Sequence, residues 1–264
     1  MSLNTSKPTL STLIVAYDAE HLIGAAVKQW DDVLVLVSKT PWYGKARKGD
    51  KTAAIARRAG AKVVEGHWPT EHEQRNAGLE MLADRDLVII ADADEFYTKQ
   101  DRKTLIDKLS TFNRTPSNSD WHGGFRIEKM KTYWKSLGYR FEPQTKTSAL
   151  VAVDPKTVRF YDKRAAKNIT RTDNMMQIQI TIPITLHNVS WVGSDDWILR
   201  KVSAFSHAPE IRDDWYENVW KRWEPEMENL HPYDSRPHKA IYDPIPADIA
   251  ELIGRNATMS AVLK

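Results

Sequence analysis

The chain has 264 residues, no cysteine, 28% charged and 41% hydrophobic residues, and a net charge of only +3. Such a length and apolar content suit one large α/β domain or a domain with an appended lobe. Charged residues alternate with apolar segments, which excludes wholesale disorder, and the lack of cysteine excludes disulfides, thiolate metal sites and cysteine nucleophiles.

Leu10–Tyr17 reads as a first strand closed by Asp18-Ala19-Glu20, before a helical pattern over His21–Trp30. Val33–Ser38 is a second apolar strand, followed by the turn Thr40-Pro41-Trp42-Tyr43-Gly44. Asp50 can cap a helix through Arg58, with Gly60 as its stop and Ala61–Glu65 as the third strand. Thr70–Leu82 is a helix candidate and Leu87–Ala91 a fourth strand. Strand and helix thus alternate over the first hundred residues, as in an open, mostly parallel sheet. Ligands of such sheets gather beyond the carboxyl ends of the strands, where Asp18, Ser38, Asp92 and Asp94 all fall. Lys99–Phe112 should be a helix. Gly123–Trp134, Ala149–Val153 and Gln177–Leu186 look like strands, and Asn113–Asp120 and Arg164–Asn174 like long polar loops. From Ser194 helices return. Trp215, Val219, Trp220, Trp223 and Met227 recur at near-helical spacing, more often a packing stripe than a ligand platform. Pro244 and Pro246 precede a last short helix, Ala247–Ile253.

The most informative stretch is Leu87-Val88-Ile89-Ile90-Ala91-Asp92-Ala93-Asp94-Glu95. In a strand, residues i and i+2 point the same way, so Asp92 and Asp94 can offer oxygens to one hard cation at a frayed strand end. Mg²⁺ and Mn²⁺ favour one or two carboxylates completed by phosphate oxygens. A lone Asp-x-Asp is more often a solvated turn. Charge is unevenly spread: Arg126–Arg171 holds 12 Lys/Arg against 4 Asp/Glu, and Glu210–Glu228 holds 3 against 7. The basic middle suits an anionic ligand or a solvated face equally.

Four stretches, taken together, carry a resemblance: Ile14-Val15-Ala16-Tyr17-Asp18-Ala19-Glu20; Glu73-Gln74-Arg75-Asn76-Ala77-Gly78-Leu79; Ile89 to Phe96; and, more loosely, His187-Asn188-Val189-Ser190-Trp191 with Ser194-Asp195-Asp196-Trp197 and His207. The chain resembles a nucleotide-sugar-dependent glycosyltransferase of the GT-A fold, similar to family 2-like members. The resemblance implies a single Rossmann-like open mixed sheet flanked by helices, with a helical C-terminal segment. Residues 1–210 would form the catalytic domain, 10–112 binding the nucleotide sugar and 113–210 the acceptor, with 211–264 a Trp-rich helical extension packed on it. A nucleoside-diphosphate sugar, expected to be a UDP-sugar, would be the donor. It would meet Ala16, Tyr17, Asp18, Glu20, Ser38, Arg75, Asn76, Asp92 and Ala93, with Lys201 or Arg200 neutralising its diphosphate. Arg75 could pair with a phosphate or with Glu95.

Asp94, and more weakly Asp92, would hold Mn²⁺ or Mg²⁺, with His187 or His207 as a further ligand. An inverting reaction needs a carboxylate base. The resemblance places it at a helix start, where Asp196 leads Asp195; plain capping by these acids is the alternative. Family members often carry Asp-Asp or Asp-Gly-Ser after the second strand. This chain has Ser38-Lys39-Thr40-Pro41 there, so base recognition would lean on stacking by Tyr17, Trp42 or Tyr43.

A nucleotidyltransferase is the competing enzyme class, although no Gly-rich phosphate loop appears. A non-catalytic nucleic-acid-binding protein built on the basic middle is the competing binding class. The acceptor stays open among glycan, lipid-linked sugar, protein side chain and a modified base in DNA, as in phage DNA-modifying glycosyltransferases. Trp121, Tyr133 and Trp134 would suit DNA, sugar stacking or core packing. No apolar run approaches the ~20 residues of a bilayer span, and Met1–Lys7 lacks a signal-peptide apolar region, so a cytoplasmic protein is expected.

Overall fold

Four apolar runs build the centre. β1 (Leu10–Ala16), β2 (Val33–Ser38), β3 (Lys62–Gly66) and β4 (Leu87–Asp92) pair in parallel, with β1 between β2 and β4. In this computed structural model, which describes residues 7–112, 123–144, 149–170 and 179–256, β1, β2 and β4 are covered on both faces, while β3 is the more exposed edge strand. Strands so covered read as continuous hydrophobic runs, and alternate residues enter different cores. Ile14, Val35 and Ile89 pack with α1 (Ile23–Lys28), α2 (Thr52–Ala59) and α4 (Lys99–Ser110). Leu13, Leu34, Leu36, Val88 and Ile90 pack with Leu79 of α3 (Glu71–Met81). α2 stops at Gly60 in the left-handed region, φ 108°, as a helix-ending glycine should. Gly78 sets the closeness of α3 to β1: a Cβ there would fall 2.4 Å from Leu13 Cδ1.

The rest of the sheet is mixed. β5 (Glu95–Phe96), β6 (Gly124–Trp134), β7 (Tyr139–Glu142) and β8 (Leu150–Val153) follow β4, and β8 and β7 flank β6 antiparallel. The hairpin β9 (Val158–Asp162) and β10 (Ala165–Asn168) stands apart from the main sheet. β11 (Gln179–Trp191) runs parallel to β6 and antiparallel to β5. α5 (Asp195–Ala204) follows, then β12 (Lys239–Tyr242) on the β7 edge and α6 (Ala247–Asn256). The mixed α/β sheet flanked by helices agrees with the expected fold class.

Two stretches depart from expectation. Arg164–Asn174 reads as a loop, but its first part forms β10, because Val158 and Phe160 of β9 are buried in the core beside α3. Residues 171–174 of that stretch, the Asn113–Asp120 loop, Trp121 and positions 177–178 lie outside the described residues. The Trp stripe beyond residue 210 is less helical than its spacing suggests. A single π-helical turn, Tyr216–Trp220, precedes irregular chain, interrupted by Pro225, Pro232 and Pro237, which cannot continue a helix. Trp215 and Trp220 are instead buried against Trp134, Phe141 and Trp191. Trp134 is therefore core, and so is Tyr133; neither offers an acceptor platform. Among the described residues no helix is long and apolar enough to cross a membrane.

Candidate functional site

A cavity of about 570 Å³ opens beyond the carboxyl ends of β1 and β4, and Ala16, Tyr17, Asp18, Asp92, Ala93 and Asp94 line it. β4 ends at Asp92 and a tight turn through Ala93 and Asp94 leads into β5. Asp94 thus reaches the cavity from a turn rather than by strand alternation. The turn is fixed from below, where Glu95 accepts from the Asp92 N–H at 3.0 Å, and Asp94 O accepts from Val189 N at 2.8 Å.

Three cations answer the three acids. Arg75 Nη2 donates to Asp92 Oδ1 and to Glu71 Oε1, each at 2.6 Å, from a fully buried position. Arg164, at the tip of the β9–β10 hairpin, pairs with Glu95, lies 3.4 Å from Asp92 Oδ2 and donates to Ile90 O at 2.9 Å. Lys201 of α5 donates to Asp94 Oδ2 at 3.0 Å and to Ser190 O at 2.9 Å. Burial acts to raise the Asp92 carboxyl, but Arg75 and Arg164 outweigh it and hold it below the usual carboxylate range. For Glu95 burial wins over Arg164, and its carboxyl is pushed up to about 6.

α5 forms the opposite wall. Ser194 caps it, accepting from Trp197 N at 3.3 Å. Trp197, Arg200, Lys201 and Ala204 then line the cavity at helical spacing. Trp197 Nε1 donates to Asp18 O at 2.8 Å and Arg200 Nε to Asp18 Oδ2 at 2.8 Å. Asp18 is buried with φ +46°, an uncommon conformation for a non-glycine residue, and Arg47 pairs with it from the other side.

Several expected residues are placed elsewhere. His187 is the clearest correction. Neighbouring strand residues face opposite ways; Asn188 and Ser190 line the cavity, so His187 points into the core, where Nδ1 meets the Tyr133 hydroxyl at 3.0 Å. Burial lowers its imidazole to about 4 and keeps it neutral. Asp195 accepts from Trp220 Nε1 at 2.7 Å, a structural duty. Asp196 is exposed beside Leu199 and Ser203 on the solvent face of α5 and takes no part in the cavity wall. Asn76 clamps the hairpin, donating to Phe160 O at 2.8 Å and accepting from Phe160 N at 2.9 Å. Ser38 donates to Thr40 O at 2.6 Å, and Glu20 accepts from Lys51 N at 3.0 Å. Arg75 pairs with Asp92 and Glu71 rather than Glu95 and supports Asp92 from beneath. Tyr43 is exposed and outside the wall, whereas Tyr17 and Trp42 belong to it.

His207 does line the cavity. Its ring stacks on Tyr233 at 4.4 Å, and Nδ1 lies 3.0 Å from both Lys163 Nζ and Glu210 Oε2. Nδ1 accepts from Lys163 in one tautomer and donates to Glu210 in the other; only the second leaves Nε2 as a coordinating atom. The donor atoms of Asp92, Asp94 and His207 do not converge within 4.8 Å; among the described residues the acidic group that does is Asp18, Glu20 and Asp50, of which Asp18 and Glu20 pair with Arg47. Two carboxylates lining one cavity nonetheless fit a divalent ion that draws its other ligands from a bound diphosphate. Lys163, Arg164 and Trp197 carry no role in the sequence reading; the need of a buried acid pair for counter-charges was the available signal for Arg164.

No protein-family model matches the chain, and no functionally curated protein does. Among solved structures it is similar to glucosyl-3-phosphoglycerate synthase from Mycobacterium tuberculosis in complex with Mg²⁺ and uridine-diphosphate, 20% identical over 48% of this chain and 44% of that one, TM-score 0.32. The same enzyme with Mn²⁺, UDP and glucosyl-3-phosphoglycerate aligns over 67% and 71%, at 16% identity and TM-score 0.40. A mannosyltransferase from Pyrobaculum calidifontis in complex with GDP-Man and Mn²⁺ aligns over 75% and 62%, at 17% identity and TM-score 0.44. In the first of these comparisons the chain spans less than half of the relative's length. With TM-scores of 0.32 to 0.44, the chemistry of the site rests on its own residues.

Proposed function

We propose that the chain is a metal-dependent glycosyltransferase of the GT-A type, similar to family 2, which moves a sugar from a nucleoside-diphosphate sugar, a UDP-sugar first, to an acceptor hydroxyl. The observation that carries this reading is the meeting of Asp92 and Asp94 with Lys201 and Arg164 in one cavity at the carboxyl ends of β1 and β4. A nucleoside diphosphate departs with concentrated negative charge, and fixed cations aimed at it lower the barrier. Asp94 and Asp92 would hold Mn²⁺ or Mg²⁺, with His207 Nε2 available as a third donor; the ion supplies a Lewis acid at the diphosphate. Lys201 and Arg200 stand along the α5 wall for the phosphates, and Arg164 and Arg75 keep Asp92 ionised. Tyr17 and Trp42 offer apolar faces for a base. Asp195 is engaged by Trp220 and Asp196 is exposed, so no base is assigned to the reaction.

Charge distribution weighs against a nucleic-acid-binding module. Lys131 and Arg140 of the basic middle are paired with Asp243, and Lys163 and Arg164 with Glu210 and Glu95. Four of the twelve cations of that stretch are thus already partnered within the chain, which leaves less free charge for a phosphate backbone. Incubation with UDP-, GDP- and dTDP-sugars and Mn²⁺ tests the reading. Release of a nucleoside diphosphate supports it. Pyrophosphate release would favour a nucleotidyltransferase, and no turnover with any donor counts against both.

A further inference from the structure

The three cations at the acidic floor are not alike. Arg75 is buried beneath Asp92 and pinned from behind by Glu71. Arg164 is fastened by the Ile90 carbonyl as well as by Glu95. Neither can leave without abandoning a buried acid. Lys201 sits in the cavity wall on a flexible four-carbon stem. Apart from Asp94, its ammonium meets the Ser190 carbonyl and the rings of Trp197, Trp191 and Phe205, 4.9, 5.4 and 6.0 Å from their centroids.

We propose that Lys201 is a displaceable internal counter-ion: it caps Asp94 against free divalent ions and yields that carboxylate when a nucleoside diphosphate offers its ammonium another anion. The inference rests on the glycosyl-donor reading of the cavity. A divalent ion arriving alone must break a close ion pair and leave the ammonium beside it with a carbonyl and ring faces. With a diphosphate present, the ammonium exchanges one anion for another and the ion gains phosphate oxygens. Metal and nucleotide therefore favour each other's binding, and linkage makes the coupling reciprocal. Lys201 carries part of it.

Mn²⁺ binding by the full chain, followed by the electron paramagnetic resonance signal of free Mn²⁺ with and without UDP, tests this directly. Lys201→Met keeps an apolar stem among Trp191, Trp197 and Phe205, Lys201→Gln is a second neutral replacement, and Lys201→Arg keeps the charge on Asp94. Thermal melts identify the folded variants. We expect the wild type to bind Mn²⁺ at least about tenfold more tightly with UDP. In either folded neutral variant, Mn²⁺ alone should bind about tenfold more tightly than in the wild type, with a smaller gain from UDP, while Lys201→Arg behaves as wild type. Unchanged or weaker binding of Mn²⁺ alone by the neutral variants, beside a wild type that takes up Mn²⁺ with UDP, overturns the role of Lys201. A wild type that takes up no Mn²⁺ even with UDP overturns the donor reading itself.

Discussion

The acidic floor and the α5 wall of the cavity are both charged, yet they are built differently. On the floor, Asp92 and Glu95 meet Arg75 and Arg164 in positions locked by Glu71, the Asp92 N–H and the Ile90 carbonyl. The wall presents Trp197, Arg200 and Lys201 from one helix face, and each reaches across to Asp18 or Asp94. Floor contacts are made once, on folding, and removing one partner leaves a desolvated charge. On the wall Arg200 is 41% exposed, whereas Lys201 is as enclosed as Arg164 of the floor; Lys201 differs in pairing with one carboxylate where Arg164 meets two, so a single anionic ligand could replace its partner. A rigid half sets the geometry; a responsive half meets the substrate.

Substitutions can break that contrast. The largest effect should come from Asp94→Asn, which removes a carboxylate proposed to hold the metal while leaving the floor pairs intact. Transfer should fall by about 10³-fold, roughly 4 kcal/mol in the barrier, with little change in melting temperature. Arg75→Met should do the reverse of that pattern. With Glu71 left unpaired and Asp92 keeping only Arg164 at 3.4 Å, denaturant unfolding should report a loss of about 3 kcal/mol.

Acid should weaken the fold through histidines far from the wall as well as near it. Burial, the largest cause in each, lowers His21 to about 3, His187 to about 4 and His231 to about 3. Below the ordinary histidine value of about 6.5 the unfolded chain binds more protons than the folded one, so stability rises with pH through that window and levels off above it. Each ring contributes a slope of up to about 1.4 kcal/mol per pH unit. Glu95, raised from 4.5 to about 6, works the other way between those values and offsets one ring there. His187→Gln, read by melts at pH 5 and 7, should flatten the profile by one histidine's share. Arg200→Ala is the smallest effect: Arg47 still holds Asp18, so stability should fall by no more than about 1 kcal/mol, while the KM for the donor rises.

The floor was legible in the sequence because continuous apolar runs fix β1 and β4, and their ends fix Asp18, Asp92 and Asp94. Gly78 and Arg75 fall where the helix must pass beneath. Phase was harder to read. His187 and Asn188 differ by one strand position, and Asp196 and Trp197 by one helix position, yet each pair faces opposite ways; only the packing of β11 on β6 and of α5 on Trp220 and Asp18 decides between them. Arg164 was hidden in a polar stretch whose pairing depends on Asn76, 84 residues from Phe160. The stripe from Trp215 to Met227 suggested a helix that Pro225 interrupts.

Anomalous scattering from crystals soaked with UDP and Mn²⁺ would locate the ion directly. A manganese peak against Asp92 and Asp94, bridged to the diphosphate, is the expected result. An empty acidic floor, or a peak only at Asp18, Glu20 and Asp50, would contradict it.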